Sequence, residues 1–327
     1  MAMNKLETKY LGLTLKSPLI AGSSKLTSTL DHVREAEDYG AGAVVLKSLF
    51  EEQINYYISQ IPVSQAYPEA DDYLASYTRS NSVDEYLNLV RKSKEALRIP
   101  VIPSINCYTS SGWTSFAKNI EDAGADAIEI NVFLLPMDRK KTAEETEKIY
   151  FDLISKLKKS IRIPLALKIG YRFSNILYMI DQFYMRGVEG VVMFNRFFEP
   201  DVDIKTMKIV PSGVFSREHE MRYVLRWIGM ASAQDLRINI SASTGVHSGG
   251  DAVKYILAGA DSVQVCSALY EKGVKHLKTM NGEISDWMDL KGFGNIADFR
   301  GRLNYANYEK PAVFERTQFM KYFSSHD

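Results

Sequence analysis

Lysines that end apolar runs are the first residues in this sequence with chemistry to offer. Lys47 closes Val44-Val45-Leu46, and Lys168 closes Leu165-Ala166-Leu167. An ammonium at the end of a core-facing strand is poorly solvated without an anionic or polar partner. Such a lysine either forms a structural salt bridge or faces a bound group, since perturbed charges gather at functional sites. A second set is small and hydroxylic: Ser243-Thr244-Gly245 follows one apolar run and Cys266-Ser267 follows the next. Between them Val253, Ile256 and Leu257 lie on one helical face, so residues 238–269 read strand, turn, helix, strand. Backbone N–H groups and a helix N-terminus suit a phosphate, and glycine lets the chain approach it closely. Packing alone also explains a glycine at such a turn. Polar residues at other run ends are Gly22-Ser23-Ser24, Ser48, Asn106-Cys107, Asn131 and Asn195. No His-x-His or Glu-x-x-His spacing occurs, so no metal site is expected. His247 is expected as an exposed loop residue, with acid or base work near the turn as the alternative.

The elements that position these groups follow from an internal repeat. Four helix-like segments end in a glycine that leads into an apolar strand, at Gly40, Gly124, Gly187 and Gly259. Glycine at that point suits a left-handed helix C-cap. Alternating with them are junctions of a second type at Ser17-Pro18, Ile99-Pro100, Ile163-Pro164 and Arg237-Ile238. Together they mark eight strands, near residues 18–22, 43–48, 101–106, 127–132, 165–170, 190–195, 238–243 and 262–268. Eight strands alternating with helices predict an α/β fold, a (β/α)8 TIM barrel, with catalytic groups at its carboxyl face.

Ser82 to Glu85 and Thr142 to Glu145 have capping-box spacing, and behind them run the helical stripes Val83, Tyr86, Leu87, Val90 and Tyr150, Leu153, Ile154, Leu157. Two insertions leave the carboxyl face. Residues 49–79 carry Tyr56, Tyr57, Tyr67, Tyr73 and Tyr77, far more than a strand-to-helix connection needs. Residues 196–216 alternate Val202, Ile204, Met207 and Ile209, which predicts a small β-excursion.

The chain has 327 residues, 46% of them apolar, and its 40 basic and 40 acidic residues cancel. Its charge gives no argument for nucleic acid or an anionic membrane as partner. Two cysteines, Cys107 and Cys266, are too few for a disulfide framework. No apolar leader or membrane-length window appears. The expectation is one cytoplasmic barrel domain over residues 1–327, acting on a small molecule as a homodimer.

Several short motifs, taken in order, resemble those of the soluble, class 1 dihydroorotate dehydrogenases. They are Ser17-Pro18-Leu19-Ile20-Ala21-Gly22, Leu46-Lys47-Ser48, Pro103-Ser104-Ile105-Asn106, Glu129-Ile130-Asn131, Leu167-Lys168, Thr244-Gly245-Val246-His247, Ser267-Ala268-Leu269 and Ile296-Ala297-Asp298-Phe299. The resemblance covers nearly the whole chain. It implies an FMN cofactor bound by Gly22, Ser23, Lys47, Ser48, Asn106, Asn131, Lys168, Asn195, Ser243, Thr244, Gly245, Cys266 and Ser267, with the phosphate on Thr244-Gly245 and Cys266-Ser267. Lys168 would face the flavin's pyrimidine edge, Lys47 would lie near flavin and substrate, and Asn131 and Asn195 would bind the substrate's amide edges. The implied activity is oxidation of dihydroorotate to orotate, with Lys47 and Asn131 in the catalytic set.

The sequence also departs from that family. Its members carry Asn-x-Ser-Cys-Pro-Asn, or a serine variant, after the fourth strand to take the C5 proton; here the stretch is Asn131-Val132-Phe133-Leu134-Leu135-Pro136. The family's Asn-x-x-Gly-Leu-Pro-Asn motif is absent from the second-strand loop. A relocated base is one consequence, and Cys107, with Tyr108 beside it, is the candidate because a thiol deprotonates more readily than a phenol. Cys107 as a small packed residue is the alternative. Another cyclic-amide or unsaturated substrate for the same FMN barrel is a second reading, and a redox-inactive binding barrel a third.

Overall fold

The alternating apolar runs become parallel strands in a computed structural model, which describes residues 4–54, 83–109, 116–197, 199–234 and 236–315. A hairpin of β1 (Thr8–Tyr10) and β2 (Leu13–Leu15) comes first. The main sheet contains β3 (Leu19–Ala21), β4 (Ala43–Val45), β5 (Leu49–Phe50), β6 (Val101–Ile102), β7 (Ser104–Cys107), β8 (Ile128–Val132), β9 (Leu165–Ile169) and β10 (Gly190–Met193). A second hairpin, β11 (Pro200–Asp203) with β12 (Lys208–Pro211), precedes the last two sheet strands, β13 (Asn239–Ala242) and β14 (Ser262–Val265).

The sheet's ten segments run in the order β5-β7-β8-β9-β10-β13-β14-β3-β4-β6. Only Pro103, which has no N–H to donate, separates β6 from β7. β4 pairs with β6 and β5 with β7, so β4 with β5 forms one interrupted strand and β6 with β7 its interrupted neighbour. The ten segments therefore make eight parallel strands closed on themselves, the (β/α)8 barrel read from the sequence.

Strand alternation sorts the side chains into two layers. Outward residues such as Ile130, Leu167 and Val263 join the helices in the larger core. The helix Ala143–Ser160 shows how: its capping box at Thr142 and Glu145 is formed, and Tyr150, Leu153, Ile154 and Leu157 are buried. Each such side chain contributes about 1.5–3 kcal/mol of burial. Inward residues Ile20, Ala43, Val45, Ile102, Ala127 and Ala166 fill the amino-terminal half of the barrel, closed below by Tyr10, Leu11 and Leu15 of the first hairpin. That hairpin turns on Leu11 and Gly12, both with positive φ. Above this apolar floor the inward residues are polar: Ser104, Glu129, Lys168, Ser241 and Gln264.

The four repeat glycines have φ of 92°, 92°, 87° and 118°, as helix C-caps require. One boundary differs from the sequence reading: the eighth strand stops at Val265, and a helix, Ser267–Lys272, begins where the strand was expected to continue. The Ser82 capping box and the five loop tyrosines lie outside the described residues. Among the described residues no helix is long and apolar enough to cross a membrane.

Candidate active site

The turns after β13 and β14 hold a backbone that few side chains tolerate. Thr244 and Gly245 both have positive φ, 81° and 73°. For threonine this costs on the order of 1–3 kcal/mol and persists only where the surroundings enforce it. Here the Thr244 hydroxyl donates to the Phe194 carbonyl at 3.1 Å, and the Tyr255 hydroxyl donates to the Thr244 carbonyl at 2.7 Å. A Cβ on Gly245 would stand 2.7 Å from the Met221 backbone nitrogen, so the turn lies against the start of the helix Met221–Ala231. Beside it, no side chain caps the helix Ser267–Lys272, whose Leu269 and Tyr270 N–H groups donate back to the Cys266 carbonyl. Ser216 links the two turns. Its N–H and hydroxyl donate to Ser267 Oγ at 3.0 and 3.1 Å, and Gly245 N–H donates to Ser216 Oγ at 3.1 Å. These groups line one cavity of about 180 Å³ with Gly22, Ser23, Lys168, Asn195, Ser243 and Cys266.

The other wall is built by register. Asn106 pairs with Asn131 across β7 and β8, and Asn131 pairs with Lys168 across β8 and β9. Partners in a parallel ladder point to the same face, so these three form one inward rung at the carboxyl end of the barrel. Asn195 Nδ2 donates to Asn131 Oδ1 at 3.0 Å. On the opposite strands Ser48 N–H donates to Ser23 Oγ at 2.9 Å, and the Ser48 and Ser104 hydroxyls are 2.8 Å apart. Lys47 N–H is held by the Thr27 carbonyl at 3.2 Å.

Two residues beyond each of Asn131 and Asn195 stands an aromatic ring. Phe133 and Phe197 approach with centroids 4.9 Å apart. Between them β9 continues into Gly170, where a Cβ would meet the Phe197 ring at 2.5 Å. The Arg172 guanidinium lies 5.6 Å from the same ring centroid. An apolar pair thus stands after the fourth strand, where the sequence lacks cysteine or serine.

Cys107 does not join this cavity. It is fully buried in the helix-side core with Ile105 and Val132. Burial first, then the nearby Glu51 and Glu52 carboxylates, pushes its thiol well above the ordinary range. Both the direction it faces and its poor acidity speak against a base. Tyr108 is shifted upward as well, by burial, Glu52 and Glu51, and its N–H donates to Glu51 Oε2 at 2.8 Å. His247 corrects another expectation: it is buried, not exposed. Its Nε2 meets the Ser216 carbonyl at 2.8 Å and its Nδ1 lies 3.3 Å from the Glu271 carboxylate, so it braces the turn from behind.

A sequence profile described as dihydroorotate dehydrogenase matches residues 5–288. The chain belongs to the dihydroorotate dehydrogenase family. It is 24% identical over 314 residues to the catalytic subunit of dihydroorotate dehydrogenase B (NAD(+)) of Thermoplasma volcanium, covering 91% of this chain and 98% of that one. A putative dihydroorotate dehydrogenase A (fumarate) of Aeropyrum pernix is 25% identical, with 91% and 97% covered. The chloroplastic dihydropyrimidine dehydrogenase (NADP(+)) of Arabidopsis thaliana is 24% identical, with 89% and 75% covered. Membership makes the chain a dehydrogenase from a flavoprotein family that generally uses FMN.

The sequence reading missed three parts of this candidate site. Ser216 arrives from a distant loop, and no local signal marks it. Glu129 and Gln264 each stand two residues before a chosen inward position, Asn131 and Cys266, and strand alternation alone would have found them. Phe133 and Phe197 follow Asn131 and Asn195 by the same step.

Proposed function

We propose that the chain is an FMN-dependent oxidoreductase that acts on the CH–CH bond of a small cyclic amide, oxidising dihydroorotate to orotate. The observation that carries this reading is the inward rung of Asn106, Asn131 and Lys168, whose lysine lines one cavity with the linked turns at Thr244-Gly245 and Cys266-Ser267. The donor set fits FMN. Hydroxyls of Ser216 and Ser267, N–H groups at two turns and a short helix start without a side-chain cap suit one terminal phosphate. Bound there, FMN would supply the hydride acceptor. Lys168 places a cation where negative charge develops on reduction. Asn131 and Asn195, bonded to each other in this structure, offer one carbonyl and one amide group to a cyclic amide that replaces their mutual contact. Phe133 and Phe197 present apolar surface beside them and keep water from that side.

The aromatic pair also favours a second reading, a different flat substrate of the same class. Dihydroorotate oxidation requires an acceptor for the C5 proton, and neither Phe133, Leu134 nor Leu135 is one. Cys107 is turned into the core. A substrate whose reaction needs no base from that loop fits the site equally well. The relatives, named for dihydroorotate and for dihydropyrimidine, support the chemical class common to both readings. Mass spectrometry of the cofactor released from purified protein tests the shared part: FMN is expected, and FAD, or no flavin after reconstitution, would overturn it.

A further inference from the structure

Beneath Lys168 the barrel holds a charge that the reading above leaves unused. Glu129 on β8, Lys168 on β9 and Gln264 on β14 all point inward, since their strand neighbours Ile130, Leu167 and Val263 belong to the outer core. The Lys168 ammonium donates to Gln264 Oε1 at 3.0 Å, and Gln264 Nε2 donates to Glu129 Oε2 at 2.5 Å. The direction of this chain is fixed by chemistry. Lysine only donates, so the amide must turn its oxygen to Lys168 and its NH2 to Glu129. Glu129 is 1% exposed and Gln264 3%, so the carboxylate is removed from water. Its Oε1 has no hydrogen-bond partner among the described residues. Burial raises the Glu129 pKa, and Lys168 followed by Gln264 pulls it back.

A carboxyl group so placed adds little to stability. Burying an ion is expensive, and a well-packed apolar residue of similar size serves a core as well or better. Nor does it reach the cavity, which Lys168 and Gln264 line and Glu129 does not. What it does contact is the amide that holds the ammonium.

We propose that Glu129 is a positioning residue: through Gln264 it is the counter-charge of Lys168, fixing where the ammonium stands and how much of its positive field reaches the cavity. The proposal rests on the FMN reading for its consequence, a flavin whose reduction potential is set by the pair and not by the lysine alone. It makes no use of that reading for the contact itself. In the absence of Glu129 the Gln264 amide loses the acceptor that fixes its orientation, and the ammonium is no longer held on Gln264 Oε1. With flavin bound, the same loss leaves the lysine's field unshielded.

The test uses Glu129→Gln, nearly isosteric, and Gln264→Met, which breaks the relay while keeping both charges. Thermal melting verifies that each variant is folded. In protein stripped of cofactor, acetylation of Lys168 by acetic anhydride is followed by peptide mass spectrometry at mildly alkaline pH. Glu129→Gln and Gln264→Met should both react severalfold faster than wild type, because in each the contact that holds the ammonium on Gln264 Oε1 is loosened or lost. An unchanged Lys168 rate in both variants overturns the relay whether or not the protein binds flavin. In the flavin-loaded protein, Glu129→Gln should raise the midpoint potential and tighten the flavin–sulfite adduct, and should do neither in a Lys168→Ala background. An equal shift in that background would mean that Glu129 acts without Lys168 and would overturn the positioning role. A protein that takes up no flavin defeats the functional reading alone, because the acetylation rates still decide the relay.

Discussion

Gly245→Ala tests the turn on which the phosphate assignment depends. Two penalties add. Gly245 has φ of 73°, a left-handed conformation that an alanine adopts at a cost of roughly 1–2 kcal/mol. Its new Cβ would also meet the Met221 backbone nitrogen at 2.7 Å, Met221 Cβ at 2.9 Å and the Arg217 carbonyl oxygen at 3.1 Å. Two of those atoms are backbone and do not rotate aside, so overpacking adds about 1–3 kcal/mol. The expected loss is about 2–5 kcal/mol. Gly213→Ala is the control, since nothing lies within 4 Å of its Cβ, and it should change stability by less than about 0.5 kcal/mol. Urea titration with equal m-values measures both. Fluorescence titration with FMN then measures affinity, which should fall in Gly245→Ala and hold in Gly213→Ala. A Gly245→Ala protein within 0.5 kcal/mol of wild type would refute the packing argument. A destabilised protein with wild-type FMN affinity would refute the phosphate site.

Three further outcomes follow from other contacts. Cys107→Ala should cost about 1 kcal/mol of stability, the scale of one buried methylene, and leave the rate of flavin reduction unchanged in stopped-flow traces. A large loss of rate with FMN retained would return the thiol to the mechanism. Gly170→Ala should displace the Phe197 ring and alter KM for the substrate more than stability, because the ring is the end of a movable side chain; steady-state kinetics and melting curves separate the two. At Asp251 burial opposes ionisation, but hydrogen bonds from Lys254, Ser248 and the His247 backbone outweigh it and hold the carboxyl below its ordinary value. A depressed folded pKa gives stability that is present above the unfolded pKa and lost as pH falls through the folded one. The stability difference between wild type and Asp251→Asn should therefore be constant near neutral pH and shrink below about pH 4.

Much of the fold was legible because it rests on local rules. Glycines at four helix ends, a capping box at Thr142 and alternating apolar runs each announce one element, and together they give a barrel with its polar groups at one end. Asn131 and Lys168 were legible as strand ends. Their shared rung was not, since register between strands is set by the whole barrel closing. The facing direction of Cys107 was legible from its neighbour: with Asn106 facing inward, strand alternation puts Cys107 on the outer face with Ile105. His247 reads as a loop residue, and only the approach of Ser216 and Glu271 from other segments buries it. The Glu129–Gln264–Lys168 contact joins three strands distant in sequence, so no spacing pattern carries it.

The most direct test of the central claim is anaerobic mixing of the FMN-loaded protein with dihydroorotate while the oxidised flavin absorption band is watched. The band should bleach and orotate should appear in equal amount, with both events slowed in Lys168→Ala. Bleaching by another cyclic amide and not by dihydroorotate would select the second reading of the substrate. A flavin that stays oxidised with dihydroorotate and with every small cyclic amide tried would contradict the claim that this cavity carries out CH–CH oxidation.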